Sequence, residues 1–354
     1  MKRIFQYIAL AAIAYVTTAC SKDNTNPDAV PETPKTYDMT GFARGADVSS
    51  LTEQEYKGIK FYDVNGTETE CLTLLRSLGV NAIRLRVWVN PAEYYSSKND
   101  VIVKAWRAYN LGFRLMIDFH YSDTWADPGN QNPPAAWAGY TMAQMKQAVA
   151  DHTKDVLQAL KDKGIPVEWV QVGNETPSGM LYPLGQVVSS NFNGFAQFVN
   201  AGYDAVKAVY PDAKVIIHLN NGQNKNVFIW HFDGLKAAGA KWDVIGMSLY
   251  HPVDDTETNL ENTWEKKAND GLETLRTCVT RYNKEVMVCE IGCNWNATWG
   301  EQFVMKVMNE CKQINGCLGV FYWEPQSYGG MGGYHKGAFD DSGKPTAIMN
   351  AFAR

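Results

Sequence analysis

The 354 residues carry none of the common signatures of metal hydrolysis, nucleotide binding or acyl transfer. The six histidines, at 120, 152, 218, 231, 251 and 335, never form HExxH, which argues against a zinc hydrolase. "GMSLY" lacks the second glycine of a nucleophile elbow, and there is no P-loop. The cluster "GGMGGYHKG" misses the GxGxxG spacing and reads as a flexible loop. Excess basic charge is also missing: 33 Lys and Arg face 38 Asp and Glu, for a net charge of −5, so no general attraction to nucleic acid or acidic membranes is expected. Cys71, Cys278, Cys289, Cys293, Cys311 and Cys317 lack the paired short spacings of a zinc site. They read as structural, with Cys311 and Cys317 spaced for a local clip, and the expectation is no metal and no cofactor.

What is present points elsewhere. Hydrophobic residues make up 45% of the chain, enough for a large core, and there are eleven Trp and eighteen Tyr. Such rings either fill that core or stack on the apolar faces of sugars.

The N-terminus reads as a targeting segment. Lys2 and Arg3 precede an apolar stretch from Ile4 to Val16, too short for a comfortable bilayer span, and Thr17, Thr18 and Ala19 lead into Cys20. This arrangement resembles a bacterial lipoprotein signal, although Thr17 stands where such signals usually carry Leu. The resemblance implies that residues 1–19 are removed, that Cys20 is lipidated, and that the protein is exported to the outer membrane or cell surface. A plain secretory peptide is the alternative. Residues 20–40 are polar and contain proline, as a tether would.

From residue 43, eight β-branched runs alternate with helical patterns: 43–49, 81–88, 113–120, 167–173, 213–219, 243–250, 285–291 and 319–324. Amphipathic segments such as 67–79 and 191–210 lie between them. This alternation predicts a single (β/α)8 TIM barrel over residues 41–354, where catalytic residues sit at the C-terminal strand ends. Several runs end in polar or aromatic residues. Arg84, Arg86 and Trp88 share one face of the second; Asp118 and His120 end the third; Asn174 and Glu175 end the fourth. The sixth offers Ser248 and Tyr250, the seventh Glu290, the eighth Trp323 and Glu324. Two carboxyls facing each other across a barrel mouth suit glycosidic hydrolysis, one as acid and one as nucleophile or base; about 5 to 5.5 Å between them gives retention. Arg86 is the expected counter-charge to the nucleophile.

At "GADVSSL", "GVNAIRLRVWVNP", "DFHYSDTWADPGNQNPPAAW", "VQVGNETPSGMLYPLG" and "EIGCNW" the chain resembles glycoside hydrolase family 53, the endo-β-1,4-galactanases. That resemblance implies Glu175 as acid/base, Glu290 as nucleophile, Asn174 on the 2-hydroxyl, Arg86 orienting Glu290, and Trp323 as the floor of the cleavage subsite. It places Asp118, His120 and Tyr250 around the same sugar, and Trp125, Trp88 and Trp295 at flanking subsites. The implied partner is galactan, acted on by a monomer that meets a membrane only through its anchor. No calcium is expected between strands seven and eight, where the interval is short and lacks a carboxylate cluster. Another retaining glycanase, on mannan, xylan or β-glucan, and a catalytically dead glycan-binding lipoprotein are the rival readings.

Overall fold

The computed structural model describes residues 40–251 and 263–353. The signal segment, Cys20 and all but the last residue of the tether lie outside the described residues. Eight parallel strands close a barrel in sequence order. They are β1 (Ala43–Asp47), β2 (Ala82–Val87), β3 (Arg114–Phe119), β4 (Trp169–Val172), β5 (Lys214–Leu219), β6 (Val244–Tyr250), β7 (Glu285–Gly292) and β8 (Cys317–Trp323). Each falls on one of the eight expected runs. The shell begins with α1 (Leu51–Tyr56) and α2 (Cys71–Ser77), both between β1 and β2. It continues with α3 (Lys98–Asn110), α4 (Met142–Lys161), α5 (Asn193–Val209), α6 (Lys225–Ala237), α7 (Trp264–Tyr282) and α8 (Gly300–Cys311). The 67–79 pattern yields a shorter helix than its periodicity suggests, because the Glu70 carboxylate accepts the Thr73 N–H and starts α2 at Cys71.

Strand alternation sorts the core into two layers. Outward residues such as Ile83, Leu85, Ile117, Val170 and Ile217 pack beneath the helices. Inward residues of the lower barrel form a separate plug: Ala43, Ala82, Met116, Trp169, Ile216, Val244, Met287 and Phe321. Trp169 and Phe321 meet edge to face at 6.0 Å, and Gly45 is kept small because a Cβ there would strike the Phe321 ring at 2.1 Å. Burying each large side chain contributes roughly 1.5–3 kcal/mol. Above this plug the inward positions turn polar. Cys311 and Cys317 meet through a thiol hydrogen bond, and no disulfide joins the described cysteines. Among the described residues no helix is long and apolar enough to cross a membrane.

Candidate active site

Two local irregularities carry the two glutamates to the mouth. In β4, Trp169 and Gln171 point inward, so strict alternation would send Asn174 out toward the helices. Gly173 breaks the phase at φ +89°, where an added Cβ would meet Met180 Sδ and Thr176 Cγ2 at 2.9 Å. Glu175 follows at φ 42°, a left-handed conformation costing on the order of 1–3 kcal/mol in a non-glycine residue. Gln131 Nε2 holds this turn by donating to the carbonyls of Asn174 (2.9 Å) and Glu175 (3.1 Å). The Thr176 N–H donates to the His218 carbonyl at 2.9 Å.

In β7, Val286 and Val288 face the helices while Met287 and Cys289 face inward, so Glu290 should face out. The ladder slips there. Val288 pairs with Met247 but Glu290 pairs with Ser248, leaving Cys289 as an extra residue. This β-bulge re-aims Glu290 into the barrel.

Both glutamates line one cavity of about 410 Å³, with Arg84, Arg86, Asp118, His120, Trp125, Asn174, Tyr250 and Trp323. Arg84 is its hub. Its Nη1 reaches Asp47 at 2.8 Å, its Nη2 reaches Asp118 and Glu290 at 2.9 Å each and donates to Asn174 Oδ1, and its Nε donates to Gln171 at 2.7 Å. The guanidinium expected from Arg86 beside Glu290 is therefore that of Arg84, one inward position deeper. Arg86 instead approaches Glu324 at 3.9 Å and lies over the rings of Trp125 (3.9 Å) and Trp88 (4.8 Å). Alternation shows that the two arginines share a face, but not which level meets the bulged Glu290.

Charge balance sets the protonation of the site. Asp47, Asp118, Glu175, Glu290 and Glu324 are gathered around the guanidinium groups of Arg84 and Arg86. Burial raises the pKa values of both Glu175 and Glu290, and the two titrate as a pair. Their partners decide where the proton rests. Glu290 meets Arg84 and accepts the Tyr250 hydroxyl at 2.8 Å, whereas the hydrogen bond lowering Glu175 comes from neutral Ser248. Burial outweighs Arg84 and pushes Glu290 up to about 8, yet its contacts with Arg84 and Tyr250 favour its anion over that of Glu175. Glu324 is pushed up to about 7 by burial and then by Asp47. For Asp118 burial also pushes upward, but Arg84 and His120 outweigh it and the pKa is lowered.

His120 has a defined tautomer. Its Nδ1 accepts from the Ala126 N–H (3.0 Å) and from Trp88 Nε1 (3.3 Å), so Nε2 carries the hydrogen and donates to Asp118 at 3.0 Å. Burial lowers its pKa, in keeping with a neutral ring. Asn174 is anchored on both sides, since Oδ1 accepts from Arg84 and Nδ2 donates to the Ala126 carbonyl at 2.8 Å.

Trp323 and Trp125 form an aromatic wall, their centroids 5.9 Å apart. Trp88 stands behind it, 5.5 Å from Trp125, and does not line the cavity. Trp295 is also absent from the lining; its backbone N–H ties to the His335 carbonyl at 3.2 Å. The glycine-rich segment after β8, expected as a flexible loop, contributes Tyr334, His335 and Lys336 to the cavity. Tyr334 packs against Trp323 at 4.6 Å and donates to its carbonyl at 3.1 Å. Asp127 is a further lining residue that alternation could not place, because it sits in a loop.

Sequence comparison meets this geometry at one point. The profile described as glycosyl hydrolase family 53 matches residues 43–304. The chain belongs to that family. Relatives of this family 53 chain include the probable arabinogalactan endo-β-1,4-galactanase A of Neosartorya fischeri, 32% identical over 80% of this chain and 83% of that one. The arabinogalactan endo-β-1,4-galactanase of Humicola insolens is 31% identical over 80% and 89%. A structure from a study of two fungal β-1,4-galactanases superposes with a TM-score of 0.79, at 28% identity, over 88% of this chain and 99% of that one. Family 53 membership makes the protein a glycoside hydrolase.

Proposed function

We propose that the protein cleaves internal β-1,4-galactosidic bonds of galactan, including the type I arabinogalactan of pectin side chains, by double displacement with retention. The observation that carries this reading is two carboxyls of unlike surroundings in one cavity: Glu290 held by Arg84 and Tyr250, which we read as the anion, and Glu175 at the end of β4, which we read as the acid. Glu290 attacks the anomeric carbon while Glu175 gives its proton to the leaving oxygen. Glu175 then deprotonates the water that releases the galactosyl enzyme. Asn174, held at both ends of its amide, meets the 2-hydroxyl; Trp323 stacks beneath the sugar; Asp118, His120 and Tyr250 surround it. Trp125 serves a flanking subsite, with Trp88 as its support. Arg86 acts through Trp125 rather than on the nucleophile. The galactanase relatives support galactan over other glycans.

The chain is further proposed to be a monomeric lipoprotein of the outer membrane or cell surface. In this reading residues 1–19 are removed, Cys20 is lipidated and residues 20–40 act as the tether. One assay covers substrate and anchor: reducing-sugar release from galactan, mannan, xylan and cellulose, measured on membrane and soluble fractions of expressing cells. Activity on galactan in the membrane fraction, moved to the soluble fraction by Cys20→Ala, is the expected result. Release from another glycan with none from galactan would overturn the substrate, and unchanged fractionation would overturn the anchor.

A further inference from the structure

Arg86 is held by more than its charge partner. Its Nη1 is buried without a hydrogen bond and comes no nearer than 3.9 Å to Glu324. The rest of the residue is tied to two buried serines: its backbone N–H donates to Ser49 Oγ at 2.7 Å, and its Nε donates to Ser96 Oγ at 3.2 Å. The Ser96 carbonyl also accepts the Trp88 N–H at 2.8 Å, so one residue holds both Arg86 and the ring over which it lies. Ser96 sits at φ 58°, a left-handed conformation that a non-glycine residue keeps only when its surroundings impose it.

Those surroundings include an ion pair on α3 that the chemistry does not use. Lys104 and Asp100 lie one helical turn apart, both fully buried, with Nζ 2.6 Å from Oδ2. Asp100 Oδ2 accepts the Ser96 N–H at 2.6 Å, and its Oδ1 accepts the Thr52 hydroxyl at 2.6 Å. Lys104 Nζ donates to the Ser49 carbonyl. Each member of the pair thus grips the backbone of one serine. Desolvation offsets most of the attraction in a buried pair, so net stability alone is a weak account of this one. The chain of contacts leads instead to the cleft. The Arg86 guanidinium lies 3.9 Å from the centre of the Trp125 ring, which lines the cavity and, at 42% exposed, depends on such neighbours for its orientation. We propose that Lys104 and Asp100 are positioning residues for the glycan cleft: through Ser49 and Ser96 they set Arg86, and through Arg86 the orientation of Trp125. The kinetic part of its test rests on the galactanase reading.

Lys104→Met/Asp100→Leu removes both charges together and so strands neither. Ser96→Ala, made separately, removes only the hydroxyl that receives Arg86 Nε. Each should raise KM for galactan about fivefold with kcat within about twofold, and should leave KM unchanged when added to Trp125→Ala. Thermal melting gives the folded fraction by which rates are scaled. A wild-type KM in the folded variants, or the same rise with and without Trp125, would overturn the positioning role, since a purely structural pair acts alike in both backgrounds. A second readout needs no substrate: the part of the near-ultraviolet circular dichroism that Trp125→Ala removes should change in both variants. Its persistence would overturn the proposal whatever glycan the enzyme cleaves. Wild type inert on galactan would overturn the substrate assignment alone.

Discussion

The lower barrel interior and the mouth are built from the same strands under the same alternation, yet they obey opposite rules. Below, Trp169, Phe321, Met116 and Met287 fill space and leave no charge. Above, Arg84 is fully buried among carboxyls, an arrangement that costs desolvation and is repaid only by dense pairing. Regular pleating suffices for the plug. The mouth needs departures from it, at Gly173, at the left-handed Glu175 and at the Cys289 bulge. Stability and chemistry are thus separable by height along the barrel axis, and Arg84 joins them.

The strongest way to break that separation is at the glutamates. Glu290→Gln should abolish measurable turnover, and Glu175→Gln should lower kcat by roughly 10²–10⁴-fold, both with near-normal melting. A dinitrophenyl leaving group needs no proton, so it should restore the first chemical step in Glu175→Gln but not in Glu290→Gln. Near-normal turnover in either variant on galactan would refute the assignment.

A smaller effect compares the layers directly. Phe321→Ala should cost about 3–5 kcal/mol in denaturant unfolding while the folded fraction keeps kcat within a few-fold. Arg84→Met strands Asp47, Asp118 and Glu290 together, and should cost about 3–5 kcal/mol and also most of the activity. If Arg84→Met lost activity without stability, the link between the layers would fail.

The smallest effect is in pH. Raised glutamate pKa values mean that the folded protein binds more protons than the unfolded chain from the ordinary value near 4.5 upward. Stability contributed by these groups therefore falls as pH rises through that window. Either Gln variant, Glu175→Gln or Glu290→Gln, lacks one member of this titrating pair, so its melting temperature should decline less than that of wild type between about pH 5 and about pH 8. Parallel declines would show that the pair does not carry the shift.

Much of this was legible in the residues. Eight apolar runs separated by helical patterns specified the barrel, and polar residues at strand ends marked Asp118, His120, Glu175, Tyr250, Glu290 and Trp323, all of which line the cavity. Depth was not legible. Arg84 and Arg86 are indistinguishable by period two, and only the register of β7 against β6 puts Glu290 beside the deeper one. Loop contributions were also hidden, because "GGMGGYHKG" carries no periodicity from which Tyr334 could be aimed at Trp323. Trp88 and Trp295 show the converse: residue type suggested sugar contact, but one props a neighbouring ring and the other lies outside the lining.

The bulge at Cys289 turns the orientation of Glu290 into a matter of register. Were β7 to pair regularly at its present length, Cys289 would sit opposite Ser248 and Glu290 opposite Leu249, a chemically intact carboxylate turned into the helical shell. Within this strand, register is as much a part of the site's specification as the identity of Glu290: the same residues paired one step along would take that carboxylate out of the cavity.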